Sequence, residues 1–348
     1  MNDRLCHKLQ PKLILLMSLL FLLIPIQRGA GSELNFYVEP IVPDSQIEGS
    51  TAYFNLNLPV GVEETLGLRL TNVLNESINI QVTGHTAYTN VNGVVEYGQD
   101  AAEPDPTLSY SLGDLLEIPE VVTLAPGEVR DLTVTLTMPE EPYTGLLAGG
   151  LRITEVMEEE ENSRGEGLAI KNAFAYVIGV VVSNDRSNIT PDLALLDVFA
   201  DQLNYRNVFS ATIQNYTPTF VNQLEVDAQI LAAGSDEVLY EAQSTGMQMA
   251  PNSHFHYPIS LNGDRFRNGN YVLTMTARSG DYEWSWEETF TVDVETARRL
   301  NREDVSIDNS LNIWMIVTIV LGVLFILIIG YLISNQKKLK KANEKDEK

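Results

Sequence analysis

His254, Phe255 and His256 form the grouping in this 348-residue chain whose spacing most suggests a metal. On an extended strand, side chains at i and i+2 point to the same side, so both imidazoles can approach one ion. Zinc asks for a third and usually a fourth ligand. No third ligand is identifiable, and two surface histidines on a strand edge account for the pattern without an ion. Neither a metal site nor a cofactor is expected. Catalysis has no firmer footing. The chain carries no G-x-S-x-G, H-E-x-x-H or phosphate-loop signature. Carboxylates are too numerous for a glycosidase pair to be singled out, so no catalytic residue and no enzymatic activity are expected.

Binding residues are easier to point to. "TAYTNVNGVVEYGQDAAEPDPTLSYSLGDLLEIPE", residues 86–120, is long and loop-rich and carries Tyr88, Asn90, Asn92, Tyr97 and Tyr110. Aromatic faces cover sugar C–H surfaces and amides bond hydroxyls, which makes Tyr88, Asn90, Asn92 and Tyr97 candidates for a glycan. The plainer alternative is an Asn-Gly hairpin with its aromatics packed beneath. In "MQMAPN", Met247 and Met249 sit beside a turn that includes Asn252. Adaptable thioethers suit protein contacts, so these three are candidate partner-binding residues, although core filling is the commoner use of methionine.

The elements that must position these residues read as strands. In "EVRDLTVTLTM", Leu132, Val134, Leu136 and Met138 alternate with polar neighbours, as do Leu224, Val226, Ala228 and Ile230 in "LEVDAQIL". Tyr271, Leu273, Met275 and Ala277 share one face, and Trp284, Trp286, Phe290, Val292 and Val294 share another. Period-two patterning means a strand with one face buried, and "LPVG", "NVNG", "LAPGE", "MAPNS" and "RNGN" separate the strands as turns. The phrase Leu124-Ala125-Pro126 returns as Met249-Ala250-Pro251, each time followed by an alternating strand. "AFAYVIGVVV", residues 173–182, is too short to span a bilayer and reads as a fully buried strand. The fold class is all-β: two tandem Ig-like β-sandwich domains followed by a single transmembrane α-helix.

Both ends are distinctive. Basic residues precede the apolar run "LILLMSLLFLLIPI" and small residues follow it, the pattern of a secretory signal peptide over residues 1–32. Cys6, the single cysteine, lies ahead of that run, so the exported part is expected to hold no disulfide. "IWMIVTIVLGVLFILIIGYLI", residues 313–333, has 21 residues without a charge, against the roughly 20 a bilayer needs. Four lysines follow at 337, 338, 340 and 341, which orients residues 334–348 into the cytoplasm and the ectodomain outward. Residues 33–312 hold 43 acidic and 13 basic residues. Such a surface repels nucleic acid, which is not expected as a partner.

"FYVEPIVPDSQIEGSTAYFNLNLPVG", "TAYTNVNGVVEY", "LTMPEEPYTGLLAGGLRI", "NAFAYVIGVVV" and "GMQMAPNSHFHYPISLNGDRFRNGNYVLTMTA" occur in one order across the exported chain, and in this the chain resembles the WxL-interacting proteins of Gram-positive bacteria. The resemblance implies a peptidoglycan-binding domain over residues 33–157 and a host-binding domain over residues 168–304. An acidic linker, 158–167, separates them, and a stalk, 305–312, leads to the membrane helix. The same resemblance implies partners: peptidoglycan, WxL-domain surface proteins carrying a Trp-x-Leu motif, and a host matrix protein. The expected function is a non-enzymatic scaffold and adhesion protein, single-pass in the cell membrane. The alternative is a cell-wall hydrolase with an unrecognised carboxylate site.

Overall fold

The computed structural model describes residues 34–119, 121–156, 174–308 and 313–346. The signal segment and the acidic linker lie outside the described residues. The first sandwich has a sheet of order β1-β3-β9-β7, built from β1 (Phe36–Ile41), β3 (Glu63–Asn72), β9 (Val129–Thr137) and β7 (Leu116–Glu117). Facing it is a sheet of order β2-β11-β10-β4-β8, built from β2 (Phe54–Asn57), β11 (Ala175–Ser183), β10 (Leu147–Glu155), β4 (Ile78–Thr86) and β8 (Val122–Leu124). A short ribbon, β5 (Tyr88–Thr89) and β6 (Val95–Glu96), stands apart from both. In the second sandwich β12 (Leu193–Leu203), β13 (Arg206–Asn215) and β16 (Ser253–Ser260) oppose a sheet of order β15-β14-β17-β18. Those four are β14 (Val221–Ala232), β15 (Val238–Met249), β17 (Gly269–Ser279) and β18 (Tyr282–Val292).

The alternation in the sequence is the alternation of burial. Leu132, Val134, Leu136 and Met138 point into the first core with Leu66, Leu68 and Leu70. Val226, Ala228 and Ile230 point into the second, around Phe209, whose ring lies 5.2 to 5.3 Å from those of Phe266, Tyr271 and Phe290. Each such side chain removed from water contributes roughly 1.5–3 kcal/mol.

The repeated Ala-Pro phrase marks a repeated clamp. Asn72, buried at the end of β3, donates its amide to Ala125 O at 2.9 Å and to Glu76 O at 2.8 Å, and its Oδ1 accepts from Leu74 N. Asn215, buried at the end of β13, donates to Ala250 O at 2.8 Å and to Thr219 O at 2.7 Å, and its Oδ1 accepts from Thr217 N. In both turns the residue after proline has positive φ, Gly127 at 65° and Asn252 at 48°, a conformation that glycine and asparagine reach at least cost.

The division at residue 168 that the resemblance implies assigns β11 to the second region, although the strand itself could complete the first sandwich. It pairs antiparallel with β10 and parallel with β2, so as a folded unit it completes the first sandwich. Ile178, Val180 and Val182 fill the first core, while Val181 on the opposite face joins a separate apolar cluster. Only its distal half is buried on both faces, since Ala175 and Val177 are exposed. Arg186 ties down its exit through Asn55 Oδ1 at 2.7 Å and Leu56 O at 3.0 Å.

Two helices follow β18. In α1 (Val294–Glu303), Asp293 caps the first turn by accepting from Glu295 N and Thr296 N, and Ala297 and Leu300 are buried. α2 (Ile313–Asp346) carries the apolar run. Among the described residues no helix is long and apolar enough to cross a membrane. Over residues 317–333 the side chains of α2 are exposed.

Because β11 closes the first sandwich, a fragment of residues 33–157 is expected to lack cooperative thermal unfolding and dispersed amide resonances. Extending it to residue 187 should restore both. A cooperative transition in the shorter fragment contradicts this assignment.

Candidate functional site at the seam between the sandwiches

The residues singled out by type and spacing converge on one place, the contact between the two sandwiches. The β5–β6 ribbon leaves the first sandwich and lies against β15 and β16 of the second. Its tip is the Asn-Gly turn: Asn90 N donates to Val94 O at 2.9 Å, and Asn90 Oδ1 accepts from Asn92 N and Val94 N. Gly93, at φ 66°, sits so close to Met247 that a Cβ there would overlap its side chain, and its carbonyl accepts from Gln248 N at 2.8 Å. Thr89 Oγ1 accepts from Ala250 N at 3.0 Å. Ser253 Oγ already donates to Ala250 O, so the 2.7 Å contact between the Thr89 and Ser253 hydroxyls has threonine as donor. Ala87, Val95, Ala148, Val181 and Ala250 form the apolar part of the seam, with Tyr97 packed against them.

A buried charge lies at the centre of the polar part. The Asp105 side chain is 1% exposed. It accepts from Thr107 N at 2.9 Å, Thr107 Oγ1 at 2.6 Å, Gln214 Nε2 at 3.0 Å and His254 Nδ1 at 2.8 Å. Gln214 and His254 are cross-strand partners on β13 and β16, so one register delivers both donors. Burial pushes the Asp105 carboxyl upward, but the bonds from His254, Thr107 and Gln214 outweigh it and bring it down to about 2. The hydrogen bond to Asp105 raises His254, against the opposing effect of burial.

His254 and His256 do share a face, with ring centroids 6.3 Å apart. His256 Nδ1 is engaged by Thr212 Oγ1 at 2.9 Å, so each imidazole has its own protein partner. Among the described residues no group of three potential ligands could hold a metal ion. Of the glycan candidates, Asn90 spends its oxygen on the turn, Tyr97 is half-buried in the seam, Tyr88 OH accepts from Gln99 Nε2 at 2.6 Å, and Asn92 is exposed. The expected partner residues need correcting as a free surface. Met249 is fully buried in the second core and Met247 lies under Gly93. Asn252 bridges the sandwiches, donating to Thr107 Oγ1 and to Tyr216 O at 3.1 Å.

Sequence reasoning missed Asp105 and Gln214, whose pairing spans 109 positions. It also missed an open groove of 410 Å³ where Tyr110 and Tyr143 from the first sandwich meet Tyr216 from the second. The rings of Tyr110 and Tyr143 are 5.9 Å apart. A smaller cavity of 220 Å³ lies between Tyr88, Asp100, Asp105 and Ser253.

Residues 36–155 match the family model described as the WxL-interacting protein peptidoglycan-binding domain, and residues 165–302 match its host-binding domain. The chain belongs to the WxL-interacting protein family. Both matched regions are binding domains by description. The family's host-binding region includes β11, so the two regions interlock: the second lends a strand to the sandwich of the first. Comparison with curated protein sequences returned no match. Solved structures similar to this chain include the Acinetobacter baumannii CsuC–CsuE chaperone–tip adhesion subunit complex, at 13% identity and TM-score 0.32, covering 73% of this chain and 98% of that one. The Salmonella enterica SafA pilin with its SafB chaperone matches at 12% identity and TM-score 0.30, covering 75% and 99%.

The ion pair in the seam is expected to make stability depend on pH. His254 has a folded pKa above its ordinary 6.5. Its contribution is therefore present in full below 6.5 and is lost as pH rises through the folded value. Asp105 has a folded pKa below 3.8, so its contribution is present above 3.8 and is lost as pH falls toward 2. Stability against urea should peak between these limits. Asp105→Asn should lower it by roughly 1.5–3 kcal/mol, the range for hydrogen bonds to a charged group, and flatten the alkaline decline. An unaltered pH profile in that variant contradicts the coupling.

Proposed function

We propose that the chain is a non-enzymatic scaffold of the Gram-positive cell surface that grips peptidoglycan with its first sandwich and engages a WxL-domain protein, or a host matrix protein, with its second. The observation that carries this reading is the tandem of two binding domains of one family on a single chain. The buried seam adds a physical consequence, because it couples the orientation of one binding surface to the other.

For the glycan, the supporting features are Tyr88 and Asn92 on the ribbon and the groove of Tyr110, Tyr143 and Tyr216. Tyrosine rings with neighbouring hydroxyls and amides match the alternating apolar and polar faces of a sugar. Tyr97 and Asn90 serve this site by holding the ribbon. For a protein partner, unpaired sandwich edges offer backbone groups to an incoming strand, and the acidic surface favours a partner with basic residues around its Trp-x-Leu anchor.

The same reading makes residues 313–333 the membrane span, with the ectodomain outside and the lysine-rich tail inside. It is supported by the uninterrupted apolar run and by Phe325, Ile326 and Leu327, each more than 60% exposed on the free helix. A helix that is apolar on every side needs a lipid or protein cover.

Sedimentation of the chain with insoluble peptidoglycan tests the wall-binding claim. Tyr216→Ala with Tyr110→Ala should weaken retention by about 2- to 10-fold per ring contact. Binding should hold or improve as salt rises, since screening relieves repulsion between the acidic surface and anionic wall polymers. Retention that ignores the tyrosines, or release of soluble glycan fragments, counts against the reading. Size exclusion with light scattering should show a monomeric exported chain that co-migrates with a WxL domain at micromolar concentration.

A further inference from the structure

The 13 basic residues of the exported region are unevenly placed. Six of them, Arg206, Arg265, Arg267, Arg298, Arg299 and Arg302, gather at one end of the second sandwich. α1 buries Ala297 and Leu300 and leaves its three arginines exposed. The loop between β16 and β17 is held against α1 by Asn301, which accepts from Phe266 N at 2.8 Å and donates to Phe266 O at 2.9 Å. That contact sets Arg265 and Arg267 beside the helix. Two adjoining open grooves result, of 640 and 580 Å³, sharing Arg265 and Asn301; Arg298 and Arg302 line one together with Glu295, and Arg267 lines the other together with Asp264 and Asp308. Among the described residues, no carboxylate lies within ion-pairing distance of Arg206, Arg267, Arg298 or Arg302, whereas Arg299 pairs with Glu303 at 3.6 Å.

Exposed apolar groups stand beside these cations. The β12–β13 turn has Asn204 and Tyr205 at φ 51° and 58°, and Tyr205 is 70% exposed. Val305 is 69% exposed, and its N–H donates to Tyr205 O at 3.0 Å. This is also the end from which the chain departs for the apolar helix. Five residue steps separate Asp308 from Ile313, a reach of at most roughly 18 Å.

We propose that this arginine face rests on the membrane and binds the phosphates of anionic lipid headgroups, with Tyr205 and Val305 entering the interfacial layer. Guanidinium forks match phosphate oxygens in pairs, and amphipathic aromatics settle at the level of the headgroups. The acidic remainder of the ectodomain is repelled by the same surface, so the charge asymmetry sets the domain upright. The inference rests on the anchored reading above, and the test separates the two.

The full chain carrying Cys6→Ser and Tyr205→Cys, labelled from outside with an impermeant environment-sensitive dye, is reconstituted in two kinds of vesicle. One contains phosphatidylglycerol and phosphatidylcholine in equal parts, the other phosphatidylcholine alone. The expected result is dye protected from aqueous iodide in the anionic vesicles only, with the protection lost in high salt. Arg298→Glu with Arg302→Glu should reduce the contact equilibrium by more than about 10-fold, while the paired lysine variants keep most of it. Unchanged circular dichroism and thermal unfolding exclude misfolding. Equal protection in both vesicles, indifference to charge reversal, or loss of contact to millimolar inorganic phosphate at constant ionic strength overturns the proposal. Alkaline extraction reads the anchor separately: an extractable chain that still shows salt-sensitive dye contact overturns the anchor alone. An unextractable chain without contact overturns the arginine face alone.

Discussion

The carboxylate of Asp105 is carried out of the first sandwich on a loop and buried against the outer face of the sheet β12-β13-β16. Burying an anion is costly unless donors replace the water it loses. Thr107 supplies two from the same loop, and Gln214 and His254 supply the others from the second sandwich. If the sandwiches separate, the carboxylate regains water but loses both donors on the far side. The geometry of the seam follows: the ribbon lies on β15 and β16, Gly93 admits Met247, and Asn252 reaches Thr107.

The two sandwiches are bound to each other in a second way. The family's host-binding region begins before β11, yet β11 pairs with β10 and β2. One face of that strand belongs to the first core and its distal end faces the seam cluster. A chain built so cannot be cut between its matched regions without opening the first sandwich. The relation between the region matching the peptidoglycan-binding domain and the region matching the host-binding domain is then set by packing and not by a linker.

The paired Ala-Pro turns show one local solution serving two purposes. Asn72 and Asn215 clamp the turn carbonyls of Ala125 and Ala250 with the same bonds. In the first sandwich the turn ends there, with Gly127 in open space. In the second, asparagine replaces glycine at the positive-φ position, and its side chain crosses to the other sandwich. A glycine there would keep the turn and lose the crossing.

The sequence alone determined the strands. Period-two burial is a property of the local backbone, so Leu132 through Met138, Val226 through Ile230 and the shared face of His254 and His256 were legible without any partner strand. The apolar run at 313–333 and the family motifs were legible for the same reason, being contiguous. What the tertiary structure decided was what those side chains meet. Asp105 and His254 are 149 positions apart, and Thr89 and Ser253 are 164 apart. Tyr97, Met247 and Met249 stood as binding candidates beside the commoner alternative of packing, because an aromatic or a thioether buries the same area against a ligand as against its own chain. Folding of the second sandwich buried Met249 in its own core, and the docking of the sandwiches placed Tyr97 in the seam and Met247 under Gly93. Only folding gathered the arginines of one turn, one loop and one helix onto a single face, since charge carries no periodicity that links segments nearly a hundred residues apart.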